Sequence, residues 1–279
     1  MPTGLLQRYT REGLSMDIMI GAGIGLFAGL HTATWGMYKD APHEGFAWRR
    51  YARSVWLGGA IGAALALAGS APLSAGAAVV FFGLVYALER AAVEFFKTFV
   101  RVEDQSKYFI PMQFHVLGRV VHGSIHRLLI GAGFVAVGAA LLGVAIALRD
   151  SGASLLTIVL VGSLGGWFSA LAGAWKDAPI EGFETLKFFR SPVVAAAYAG
   201  LLWRFTSDPA AIALAATGLT VATLETYKTF FFPSRPRGKF AGKPVLFPAM
   251  LRRRNVAVPL YVSIWVALVG ATAVGLFGG

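Results

Sequence analysis

The sequence predicts an all-α polytopic membrane protein of about eight transmembrane helices, built as two four-helix repeats in the same orientation. Three observations predict it. The 279 residues are 56% hydrophobic and only 14% charged, with a mean hydropathy of +0.64, too apolar for an ordinary soluble domain. The apolar residues fall in runs of about 20, the length that crosses a hydrocarbon core. And one polar octet occurs twice: KDAPHEGF at 39–46 and KDAPIEGF at 176–183, differing only at His43 and Ile180.

In chain order, the expected spans cover residues 15–35, 55–73, 75–96, 128–148, 154–174, 192–206, 209–229 and 257–277. The second and sixth are short or weak, which leaves six or seven spans as the alternative count. Pro192 near the start of the sixth suits a first helical turn. Glycines at 25 and 29, at 58, 59 and 62, and at 162, 165 and 166 predict close helix packing, because small residues let backbones approach in lipid. The N-terminus lacks a clear signal-cleavage pattern. With no cysteine present, disulfides and thiolate metal sites are excluded.

Charge assigns the sides. In an eight-span arrangement the face holding both termini carries Arg8, Arg11, Arg149 and Arg204 against Glu12, Asp17, Asp150 and Asp208. The whole net charge of +11 therefore falls on the opposite face. The positive-inside rule makes that face cytoplasmic and places both termini outside. The expected location is the plasma membrane of a bacterium or archaeon, with an organellar membrane as the alternative. The high pI reads as membrane orientation and not as nucleic-acid binding.

The duplication extends past the octets. Arg53-Ser54 matches Arg190-Ser191 without a gap, and Tyr51 matches Phe188. Glu94, Lys97, Thr98 and Phe99 recur at the same spacing as Glu225, Lys228, Thr229 and Phe230, and Pro111 matches Pro248. The expected organisation is an N-terminal interfacial segment over 1–14, a first repeat over 15–148 and a second over 149–279. Four spans per repeat keep both halves in one orientation, with a pseudo-twofold axis along the membrane normal.

The repeated polar residues are the candidate gating or binding set. Asp40 and Asp177 suit capping of the following helix, Pro42 and Pro179 an opening turn, and Glu44 and Glu181 the exposed N–H groups there. Glu94 with Lys97, and Glu225 with Lys228, stand three apart and face alike on a helix. They read as helix-end ion pairs, or as carboxylates reaching inward to Arg53 and Arg190. Glu89 and Arg90 have no charged counterparts, since Thr220 and Val221 stand there; Glu89 is the candidate for any asymmetric active site. His122 and His126, four apart, are weak metal candidates that a carboxylate such as Glu44 or Glu89 would have to complete. No pattern specifies a cofactor.

The basic stretches carry Arg235, Arg237, Lys239 and Lys243, then Arg252, Arg253 and Arg254. Anionic lipid headgroups are sufficient partners for them. Three function classes follow. The first is a transporter or channel-like protein for a small anionic or lipid-linked solute. The second is a non-catalytic subunit of a membrane complex, its octets binding membrane or peripheral protein partners. The third is a lipid-processing enzyme using Glu89, His122 and His126; no complete nucleophile or metal set supports catalysis.

Overall fold

The computed structural model describes residues 11–69, 72, 74–234 and 237–278. Of the described residues, 75% are helical. Helix α1 (Arg11–Glu44) is followed by α2 (Trp48–Leu67), α3 (Ala75–Phe95) and a π-helical turn (Phe96–Val100). A loop with a two-stranded hairpin, β1 (His115–Val116) and β2 (Arg119–Val120), leads to α4 (Ser124–Ala147). Then come α5 (Leu155–Gly162), α6 (Leu164–Glu181), α7 (Thr185–Leu202) and α8 (Pro209–Phe230). After a long loop, α9 (Met250–Arg253) and a 3₁₀ turn (Arg254–Ala257) run into α10 (Val258–Phe277).

Six helical stretches among the described residues are long and apolar enough to cross a bilayer: 13–44, 75–100, 124–147, 155–181, 209–230 and 250–277. The chain is an integral membrane protein on that ground. Helices α2 and α7 fall outside this set. Their first two turns carry Arg49, Arg50 and Arg53, and Lys187 and Arg190. Of the anticipated interfacial segment, residues 1–10 lie outside the described residues, and 11–14 already belong to α1.

The octets end helices; they do not open them. Helix α1 continues through Pro42 to Glu44, and α6 through Pro179 to Glu181. Neither α2 nor α7 has a side-chain N-cap, so capping by Asp40 and Asp177 is not what occurs. The physical reason is the glycine that follows. Gly45 and Gly182 adopt φ of 76° and 85°, a conformation that costs glycine nothing. Their N–H groups donate to Ala41 and Ala178 carbonyls at 3.0 and 2.9 Å, which closes each helix.

The core is the contact between α3 and α8, where Val79, Phe82 and Tyr86 meet Ala215, Ala216, Leu219 and Ala222. A side chain at Gly83 would place its Cβ 2.6 Å from the Ala215 carbonyl oxygen. Around this pair, α2 packs on α1 and α3, and α7 packs on α6 and α8. The last long helices exchange sides: α4 lies against α8, and α10 against α3. Close approach is again set by glycine. A Cβ at Gly29 would stand 2.6 Å from the Val55 Cα, and one at Gly166 would stand 2.7 Å from the Ser191 oxygen.

Candidate functional site

Both octets and both long loops gather at one end of the bundle, and there the repeated charges meet. Lys39, from the first octet, donates to Glu225 of α8 at 3.3 Å. Glu225 also accepts from Lys228 at 3.1 Å. On the other side, Glu94 of α3 is paired with Lys97 at 3.1 Å and with Arg90. Lys176, from the second octet, lies 3.9 Å from the Met112 sulfur in the first half. Each octet lysine thus contacts the opposite half of the chain, Lys39 through an ion pair. The expected inward reach to Arg53 and Arg190 does not occur. Arg53 is exposed, and the Arg190 guanidinium lies over the Tyr227 ring at 5.5 Å. The reason is distance along the helix: Arg90 and Lys97 stand four and three residues from Glu94 and reach it first.

The octet acids hold a second layer. Asp40 accepts from Lys239 at 2.8 Å, and Glu44 accepts from Lys239 at 3.5 Å and from Arg50 at 2.5 Å. In the second octet Lys187 reaches Glu181 at 2.6 Å and Asp177 at 3.6 Å. Glu44–Arg50 and Glu181–Lys187 are the same pair, six residues apart, bent back across the glycine corner. Beneath them Phe46 packs on Tyr51 with centroids 6.0 Å apart, and Phe183 on Phe188 at 5.5 Å.

Pro42 explains a further contact. Proline has no N–H, so the Tyr38 carbonyl one turn earlier loses its helical donor. The Arg254 guanidinium supplies one at 2.8 Å, donates to the Pro233 carbonyl at 2.9 Å, and sits 4.1 Å from the centre of the Tyr38 ring. The Pro42 carbonyl in turn accepts from the Leu246 and Phe247 amides at 3.0 and 2.9 Å.

These contacts redistribute the basic set expected at the lipid headgroups. Lys239 is engaged by the octet acids. Lys243 donates to the Ser106 carbonyl at 2.8 Å, and Arg254 is buried. Arg237, Arg252 and Arg253 are exposed; Arg235 lies outside the described residues. The two loops are joined as well, since the Phe109 amide donates to the Lys239 carbonyl at 2.8 Å. Next to this junction Glu103 pairs with Arg101 and Lys107. Burial alone would raise the Glu103 carboxyl. The Lys107 hydrogen bond and the two positive charges outweigh it and hold it below the usual range.

The histidine pair does not share a helical face. Helix α4 begins at Ser124, so His122 precedes it, and both rings are exposed. The His122 carbonyl accepts from Arg127 at 2.8 Å. Among the described residues no three His, Asp or Glu side chains are grouped to hold a metal.

Two features had weaker sequence signals. Arg127 is almost fully buried, and its guanidinium also binds the Phe99 and Val121 carbonyls at 3.3 and 2.9 Å. It fastens the π turn that carries Lys97. Deeper in the bundle, Glu89 is fully buried with Arg90 at 3.7 Å, and neither of its oxygens has a hydrogen-bond partner among the described residues. Nearby, the buried His31 ring lies 3.1 Å from the Tyr86 hydroxyl and stacks on Tyr261 with centroids 4.3 Å apart. Trp35 donates to the same Tyr86 hydroxyl at 2.8 Å, and Arg90 lies over the Trp35 ring at 5.3 Å. The spacing of His31 and Trp35, one helical turn apart, was the available signal. An aromatic and polar chain therefore connects the charged end to the interior of the bundle.

Compared with protein-family models, curated proteins and solved structures, the chain matches none.

Proposed function

We propose that this chain is a membrane transporter for a small anionic or lipid-linked solute, with the octet end as its cytoplasmic gate. The observation that carries the reading is the ion pairing between the two halves at this end, Lys39 to Glu225 at 3.3 Å and Lys239 to Asp40 at 2.8 Å. Charges taken from water must be paired. A set of pairs that joins two halves at one end gives a closure that opens when the halves move apart.

In this reading all eight long helical rods cross the bilayer, as two parallel four-helix repeats. Helix α2 has 20 residues and α7 has 18, about 30 and 27 Å at the helical rise. Their basic first turns would lie at the cytoplasmic surface, where arginine and lysine snorkel. The exchanged packing of α4 and α10, and the two matching glycine corners, support the repeat. Both termini then face outward. The basic surface that remains exposed, Arg237, Arg252 and Arg253, would attract an anionic solute or headgroup.

A second reading, a passive subunit of a membrane complex, draws support from the axis itself. At Gly83 and Gly218 the backbones of α3 and α8 touch, which leaves no passage at that level in this conformation. Proteoliposomes separate the two. The transporter reading expects uptake of inorganic phosphate, or transbilayer movement of a fluorescent phosphatidylglycerol, above the level of empty vesicles. It also expects a clear rate change in Glu94→Gln with Glu225→Gln. A well-folded double variant that moves either probe at the wild-type rate contradicts the gate. A wild-type protein that moves neither turns the account to the subunit reading.

A further inference from the structure

An apolar groove of about 580 Å³ runs between α8 and α10. Phe230 and Phe231 lie at its octet end, and Val258, Val262, Val266 and Gly270 follow it along α10. From Val258 to Gly270 the helix rises about 18 Å, slightly more than half of the roughly 30 Å hydrocarbon core. With the membrane surface at the level of Arg252 and Arg253, where basic side chains sit, such a groove would reach about the depth of one leaflet. Its wall also contains Thr226, Tyr261 and Trp265, but their polar atoms are turned on one another. The Thr226 hydroxyl is 2.5 Å from the Tyr261 hydroxyl and accepts from the Trp265 indole at 3.2 Å. The surface offered is hydrocarbon. Val262, Val266 and Phe231 are exposed along it, so it opens sideways, where acyl chains are.

The chemistry changes at the mouth. Arg252 and Arg253 are exposed on the short helical turns that feed directly into Val258. Arg237 lies 3.9 Å from the ring centre of Phe232, the residue after Phe231. Unlike Lys239, which the octet acids hold, these three cations have no acid paired with them among the described residues. An apolar slot one leaflet deep with a cationic mouth matches a lipid with an anionic headgroup.

We propose that the α8–α10 groove binds one acyl chain of an anionic phospholipid from the octet-side leaflet, with the headgroup phosphate held by Arg252, Arg253 and Arg237. This site requires only that the helices span a bilayer. It holds whether or not the chain transports a solute.

The test is native mass spectrometry of the detergent-purified protein, titrated with phosphatidylglycerol or with phosphatidylcholine of the same chains. The proposal expects one phosphatidylglycerol to persist per chain, bound at least tenfold more tightly than phosphatidylcholine. Gly270→Leu adds bulk to the groove wall at a position where a Cβ meets nothing within 4 Å. It should lower affinity for both lipids about tenfold while leaving the melting temperature in place. Arg252→Gln with Arg253→Gln should remove the preference and leave phosphatidylcholine binding unchanged. A photoactivatable acyl probe should label peptides of α8 and α10. Undiminished binding by a folded Gly270→Leu variant, equal affinity for the two lipids, acyl labelling confined to other helices, or α10–α10 crosslinking between two copies would each overturn it.

Discussion

Pro42 and Arg254 show how one missing hydrogen-bond donor organises its surroundings. The proline frees the Tyr38 carbonyl, and an arginine more than 200 positions away supplies the donor. Arg254→Met would leave the Tyr38 and Pro233 carbonyls bare and cost about 2 kcal/mol, read as a lower midpoint in detergent unfolding. Pro42→Ala restores a backbone N–H to the helix, so in that background the same change should cost clearly less. Equal losses in both backgrounds would show that the arginine acts through packing alone. Loop charges give a pH-dependent counterpart. Glu103 has its carboxyl lowered in the folded protein, so its ion pairs stabilise the loop above the ordinary carboxylate range. That stability is lost as pH falls through the lowered folded value. Amide protection factors across residues 101–123, corrected for the intrinsic exchange rate at each pH, should therefore fall on acidification, and Glu103→Gln should flatten that dependence. The octets were legible in the sequence as a repeated polar signal, but the partners were not. Lys39 and Glu225 are 186 positions apart, and no local spacing rule reaches that far.

Helix packing rests on contacts that tolerate no side chain. Gly29 lies against the backbone of α2 at Ser54 and Val55, and Gly166 against α7 at Ser191 and Pro192. Gly29→Val and Gly166→Val should each destabilise by at least 1–3 kcal/mol, the usual cost of overpacking a tight contact. Gly23→Ala is the control, since a Cβ there meets nothing within 4 Å; it should be neutral or slightly stabilising by helix propensity. Comparable loss in all three would place the role of these glycines outside packing. Helix existence was legible from apolar runs, and the packing glycines from their four-residue spacing. Boundaries at the octets were not. Pro42 and Pro179 resemble helix openers by composition, but the glycine three residues later decides where each helix stops. Nor was the π turn at Phe96–Val100 legible, because Glu94–Lys97 and Glu225–Lys228 have identical spacing and only the first runs into such a turn.

At the scale of the molecule, both octets, both long loops and most of the charge lie at one end of the bundle, and the Arg149–Asp208 pair at 2.7 Å marks the other. The account's central claim is that these ends are opposite membrane faces, with the octet end cytoplasmic. Single cysteines test it directly, because the chain has none of its own. Ser151 lies in the turn before α5 and Ser234 in the loop after α8, and both are exposed. In intact cells a membrane-impermeant maleimide should label Ser151→Cys at once, and Ser234→Cys only after the membrane is permeabilised. Labelling of both positions from the same side would contradict the eight-crossing arrangement and, with it, the cytoplasmic gate.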